Sequence, residues 1–178
     1  VFSISPTPCS HQLGHKIERE SYINRLQYAN IKGYDLLFNN RQPDPRLFFK
    51  YNKVAILSEI LRNQTFSNTS THYEWILWID NDALVIDMSF EIPFQKYANH
   101  SCVMWGDIKR FREVGDVESI NAGVVLLRNN EWSRRFLETV ATFGYNNKSA
   151  RIDELKKGIP NFQKHYYDQN GFLYTLKH

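Results

Sequence analysis

The sequence predicts an α/β fold with a mostly parallel sheet flanked by helices. Three observations predict it. Short apolar runs suited to strands alternate with longer segments of helical spacing along the chain. The run Trp75–Ile79 is continuously apolar, as expected of a strand covered on both faces. It stops abruptly at Asp80-Asn81-Asp82, and open α/β sheets bind their ligands just beyond the carboxyl ends of strands. A chain of 178 residues, 42% of them hydrophobic, is large enough for one domain with a substantial core.

Taken in order, Val1 to Ser5 reads as a short strand, followed by a loop through Pro6, Pro8 and Gly14. A helix follows, with Ile17, Ile23, Leu26 and Ala29 on roughly one face and Gly33 as its stop. Tyr34 to Phe38 is a buried strand, and Pro43 and Pro45 mark a loop. Leu47 to Leu61 returns to helical spacing, while polar Asn63 to Thr71 is an exposed connection. Beyond the central strand, Ser101 to Trp105 and Ile120 to Leu127 read as strands. Asn130 is placed to cap a helix over Glu131 to Phe143, and a last helix starts near Asp168.

The net charge of +3 is small and the basic residues are scattered, so the footprint of a nucleic-acid binder is missing. Two cysteines, Cys9 and Cys102, exclude a disulfide scaffold or a cysteine-built metal site and leave one bridge open. No run approaches the roughly 20 apolar residues of a membrane span. The chain begins at Val1 without a signal peptide, and we read it as a piece of a longer protein. Asn63, Asn68, Asn99 and Asn147 each open an Asn-X-Ser/Thr site, which points to exposure in a secretory lumen.

Asp80 and Asp82 are separated by one residue, so in extended chain both carboxylates project to one side and can serve one hard divalent cation. Such a cation neutralises a diphosphate and stabilises the charge that develops as it leaves. The bland alternative is an ordinary turn, which Asp and Asn favour. Other residues have the same two readings. Asn121 is either a turn residue or a ligand contact, with Gly123 allowing close packing. Asp168 is either a helix cap or a functional carboxylate, and Gln169 shares its fate. Lys53 is either a solvated helix residue or a phosphate contact. The histidines have no metal-ligand spacing, and His165 reads as a surface or core residue.

The stretch from Trp75 to Pro93, including Asp80-Asn81-Asp82, resembles the core of glycosyltransferase family 34. That family includes plant xyloglucan xylosyltransferases and fungal galactosyl- and mannosyltransferases. Three further segments are similar and in the same order: Tyr51-Asn52-Lys53, Asn121 to Asn129 with Trp132-Ser133, and Asp168-Gln169. The resemblance implies a GT-A type nucleotide-diphospho-sugar transferase fold in a single domain over residues 1–178. It implies a divalent metal, usually manganese, at Asp80 and Asp82. Donor contacts fall to Asp80, Asn81, Lys53, Asn121, Ala122 and Gly123, and catalytic roles to Asp168 and Gln169. It further implies retaining transfer of a hexosyl or pentosyl unit from a nucleotide-diphosphate sugar to an oligo- or polysaccharide acceptor. The setting is a Golgi or other secretory lumen, in a type II membrane protein whose anchor is absent from this chain. Two departures stand out. Tyr167 occupies a position that is acidic in plant members, and the family continues beyond this chain to a histidine that completes the metal site.

Two other functions compete. A phosphatase of the haloacid-dehalogenase type also carries Asp-X-Asp after a buried strand. Its motif lies on the first strand, though, whereas two strand-helix units precede Asp80, and Gly115-Asp116 lacks the further acidic spacing. An inactive sugar-binding module on a transferase scaffold is the other, since a fold does not fix a function.

Overall fold

The computed structural model describes residues 2–3, 12–38, 43–62, 73–145, 149–163, 165 and 167–178. The sheet contains β1 (Phe2–Ser3), β2 (Leu37–Phe38), β3 (Trp75–Ile79), β4 (Cys102–Gly106) and β5 (Ile120–Arg128), in the spatial order β2-β1-β3-β5-β4. β1 is parallel to β2 and β3, whereas β5 is antiparallel to both β3 and β4. Four strands therefore share one direction and only β5 is reversed, so the sheet is mixed, with two parallel and two antiparallel pairings. This reversal brings the start of β5 beside the carboxyl ends of β3 and β4.

The helices are α1 (Gln12–Lys32), α2 (Asn52–Arg62), α3 (Ile108–Glu113), α4 (Glu131–Thr142), α5 (Ser149–Gly158) and α6 (Tyr167–Lys177). α2, α4 and α6 cover one face of the sheet. Ile56, Leu57, Leu137 and Phe172 from these helices pack with Trp78, Val125 and Leu127 in one buried cluster. Each such side chain contributes about 1.5–3 kcal/mol by leaving water. Asn130 accepts a hydrogen bond from Ser133 N at 3.0 Å, so α4 starts where its cap predicts.

The opposite face is covered differently from expectation. Tyr28 of α1 and the irregular segment 83–97 lie over Leu77, Ile79, Val124 and Leu126, leaving an apolar cavity of about 400 Å³. The helical face of α1 also differs. Ile17 and Leu26 are 46% and 36% exposed, while Ser21, Arg25, Tyr28 and Ala29 are buried. α1 packs its polar side onto backbone rather than an apolar side onto core. Gly14 lies within α1 rather than in a loop, and Gly33, at φ +68°, ends the helix as expected.

The strict strand-helix alternation breaks between β3 and β4, which are joined through a 3-10 turn at Phe94–Tyr97. α3 and α5 are absent from the sequence reading. α3 had a legible start, since Asp107 accepts a hydrogen bond from Arg110 N at 3.0 Å. Cys102 is a free thiol whose pKa burial pushes up to about 12. Cys9, the connection Asn63 to Thr71 and the Asn-X-Ser/Thr positions Asn63, Asn68 and Asn147 lie outside the described residues. Asn99 is exposed.

Candidate active site

β3 delivers Asp80 to the end of the sheet. Its backbone N donates to Gly123 O of β5 at 2.7 Å, and its carbonyl accepts from Ala83 N at 3.0 Å, closing a turn over Asn81 and Asp82. Trp78, whose ring is buried in the core, donates Nε1–H to Asp80 Oδ1 at 2.5 Å. Lys53 Nζ also meets Oδ1, at 3.2 Å. These contacts leave Oδ2 on the glycine side, 3.3 Å from where a side chain on Gly123 would begin. Burial raises the Asp80 pKa, opposed by the Lys53 charge and the Trp78 hydrogen bond. Asp82 is exposed on the same turn.

Lys53 is neither solvated nor pointed at open solvent. Its side chain is 8% exposed and bridges Asp80 Oδ1 to Asp168 Oδ2, the latter at 2.8 Å. It also donates to Ala122 O at 2.7 Å. Burial alone would lower the Lys53 pKa, but the charges of Asp168 and then Asp80 outweigh it and hold the pKa above its ordinary value. One buried ammonium thereby fixes α2, β3, β5 and the head of α6 around a common point. The lysine could be read as a phosphate contact in the sequence, but a bridging position between two carboxylates depends on folding and has no local signal.

The start of β5 forms the other wall. Asn121 Oδ1 accepts from Gly123 N at 2.7 Å, a turn within the strand end. Gln169 clasps this segment from α6, its Oε1 accepting from Ala122 N at 3.1 Å and its Nε2 donating to Val117 O at 2.9 Å. Both ends of the Gln169 amide are thus engaged by backbone. A side chain at position 123 would begin 2.9 Å from Asn121 Oδ1, so glycine is required for this close approach. Between Asp80 and Asp168, Tyr167 has φ +25°, a conformation non-glycine residues rarely adopt, and Tyr51 OH donates to its carbonyl at 2.8 Å.

The sequence reading missed the support of this site by α1. Arg25 is fully buried, and its guanidinium donates to Asp80 O at 2.5 Å, Ala83 O at 3.2 Å and Asn81 Oδ1 at 3.4 Å. Burial pulls the Arg25 pKa down, with Asp80 and Asp82 opposing. Ser21 Oγ donates to Asn81 O at 2.5 Å. The available signal was a polar stripe, Ser21, Asn24, Arg25, Tyr28 and Lys32, at helical spacing.

Among the described residues no three His, Cys, Asp or Glu side chains converge on one point that could hold a metal ion. Asp80 and Asp82 offer hard oxygen donors, which suit a hard cation that takes its remaining ligands from phosphate and water. His165 and His178 are exposed, and the His178 ring lies 4.5 Å from that of Tyr174.

The sheet order and the acidic turn at the end of β3 define a nucleotide-sugar transferase type of α/β fold. A glycosyltransferase involved in glycosylating the major capsid of PBCV-1 has a similar solved structure, with a TM-score of 0.54 at 17% identity over 84% of this chain and 67% of that one. The chain belongs to the galactosyl transferase GMA12/MNN10 family, which matches residues 1–175. It is 29% identical to xyloglucan 6-xylosyltransferase 4 of Arabidopsis thaliana over 97% of this chain and 33% of that protein. It is 27% identical to galactomannan galactosyltransferase 1 of Cyamopsis tetragonoloba over 81% of this chain and 32% of that protein. It is also 31% identical to probable glycosyltransferase 6 of Oryza sativa subsp. indica, over 95% and 34%. The chain thus spans about a third of the length of these relatives. Membership of this family removes the phosphatase alternative.

Proposed function

We propose that this chain carries the donor-binding core of a metal-assisted, retaining glycosyltransferase that moves a hexosyl or pentosyl unit from a nucleotide-diphosphate sugar to a glycan acceptor. The observation that carries the reading is the bridge Asp80–Lys53–Asp168, which brings the acidic turn and the head of α6 to one crevice. The names of the plant relatives, xyloglucan xylosyltransferase and galactomannan galactosyltransferase, favour an oligo- or polysaccharide as acceptor.

Asp80 Oδ2 and Asp82 are the groups that would hold the cation, manganese by family resemblance. When bound, it would neutralise the diphosphate and favour its departure. Asn81 and the Asn121-Ala122-Gly123 corner form the rim against which the donor would lie. Lys53 opposes the burial that raises the Asp80 pKa and aims the carboxylate. Asp168, held by the same ammonium at 2.8 Å, is a poor nucleophile and a good fixed negative charge. That favours a role in steadying positive charge on the departing sugar, with attack from the face of the leaving diphosphate and retention of configuration. Gln169 holds the β5 corner in register with Asp168.

A secretory lumen, such as the Golgi, fits the family and the exposed glycosylation site at Asn99. Among the described residues no helix is long and apolar enough to cross a membrane. The test is donor hydrolysis and transfer across uridine and guanosine diphosphate sugars, with manganese and with chelator, reading the product anomer by NMR. Manganese-dependent release of a retained product supports the reading. No turnover of any donor would favour the binding-module alternative, and an inverted product would overturn the mechanism.

A further inference from the structure

The segment from Asn81 to Phe90 carries Asn81 and Asp82 of the proposed site yet contains no helix or strand. Its backbone groups still need partners, and α1 supplies them through side chains. Asn24 Nδ2 donates to Val85 O at 2.9 Å and its Oδ1 accepts from Val85 N at 2.8 Å. Tyr28 OH donates to Phe90 O at 3.0 Å, and Lys32 Nζ to Ser89 O at 2.7 Å. With Ser21 and Arg25 these residues form one stripe along α1 that holds the backbone of the loop.

Arg25 differs from the others because it carries a charge at 0% exposure. Burying a guanidinium is costly unless its donors and charge are met by partners. Its Nε–H has no hydrogen-bond partner, so the side chain is not optimised for its own satisfaction. Its other two nitrogens converge on the turn that presents Asp80 and Asp82, and the fork geometry lets one group hold two carbonyls and one amide oxygen together. A positive charge behind the turn also opposes the repulsion between Asp80 and Asp82.

We propose that Arg25 is a positioning residue for the acidic turn, setting the affinity for cation and nucleoside diphosphate from behind the site without lining it. The inference rests on the reading of Asp80 and Asp82 given above. It places a specificity for the charged donor in a helix that apolar patterning assigns to the core.

The test compares the wild-type protein with Arg25→Met, Arg25→Lys and, as a control on the exposed side of α1, Leu26→Ala. Uridine and guanosine diphosphates are titrated calorimetrically with manganese, and Tm is measured in their absence. For the diphosphate that binds, Arg25→Met is expected to raise Kd tenfold or more, and Arg25→Lys three- to tenfold, since a lysine keeps the charge but not the fork. Leu26→Ala should stay within twofold. Arg25→Lys also decides the matter if the methionine variant does not fold. Unchanged Kd in a folded Arg25 variant, with only Tm lowered, would reduce the residue to a structural role and overturn the proposal. A wild-type protein that binds neither diphosphate with manganese would instead overturn the reading of the site, and this inference with it.

Discussion

Asp168 has a partner that its sequence position alone does not reveal. A carboxylate at the start of a helix is ordinarily a cap or a favourable partner of the helix dipole. Here its Oδ2 meets Lys53 Nζ at 2.8 Å, directed toward Asp80 rather than back along its own helix. The side chain is 18% exposed, so it stays accessible while paired with Lys53. We predict that Asp168→Ala lowers kcat by at least a hundredfold while Kd for the diphosphate moves less than fivefold, because Lys53 retains Asp80 and Ala122 O as partners. Kinetics paired with titration check this. An equal loss in both would place Asp168 in donor binding. The position of Asp80 at a strand end was legible from the sequence, whereas the burial of Lys53 was not, since helix position alone favours solvent for lysine.

At the scale of the element, the corner between α4 and α2 supports the head of α6 through aromatic packing. Gly144 follows α4, and a methyl group there would begin 2.5 Å from Tyr51 Cγ. Tyr51 in turn holds the Tyr167 carbonyl, one residue before Asp168. Gly144→Ala should therefore cost about 1–3 kcal/mol by overpacking. It should also reduce turnover, measured as a fall in Tm together with kcat. A second element depends on charge. Arg110 donates Nε and Nη2 to Asp116 at 2.8 and 2.7 Å, tying α3 to the approach to β5, and this holds the Asp116 pKa below its ordinary value. A depressed carboxylate contributes stability above its unfolded pKa of about 4 and loses it as pH falls through the folded value. Asp116→Asn should thus lower Tm at pH 7, and its difference from wild type should shrink as the pH drops below about 4. A pH series of melting curves measures this.

The elements most legible in the sequence are those set by local chemistry. The unbroken apolar run gave β3 at Trp75–Ile79, and Asn130 marked the start of α4. α1 was found as a helix but turned to the wrong face, because apolar spacing assumes a core beneath a helix. The surface beneath Ser21 and Arg25 is instead a strip of backbone carbonyls, which selects donors. α3 and α5 were missed because short charged helices have weak periodicity, although Asp107 capped one of them.

At the scale of the whole molecule, the reversed strand β5 makes the site. It turns the Asn121-Ala122-Gly123 corner toward Asp80 and lets Gln169 and Lys53 reach the same backbone. The α/β class was legible from the alternation of apolar runs and helical segments, but which strand reverses depends on long-range pairing that carries no local signature. Buried Lys53 ties Asp80 to Asp168, and buried Arg25 holds the turn that carries Asp80 and Asp82.

If Asp80 and Asp82 hold the donor diphosphate through a metal, calorimetric titration of uridine and guanosine diphosphates with and without manganese reports it. Wild-type protein is predicted to bind one of them only when manganese is present, and Asp82→Asn to weaken that binding at least tenfold with Tm unchanged, since exposed Asp82 contributes little to packing. Diphosphate binding that ignores both manganese and the Asp82→Asn substitution would contradict the account.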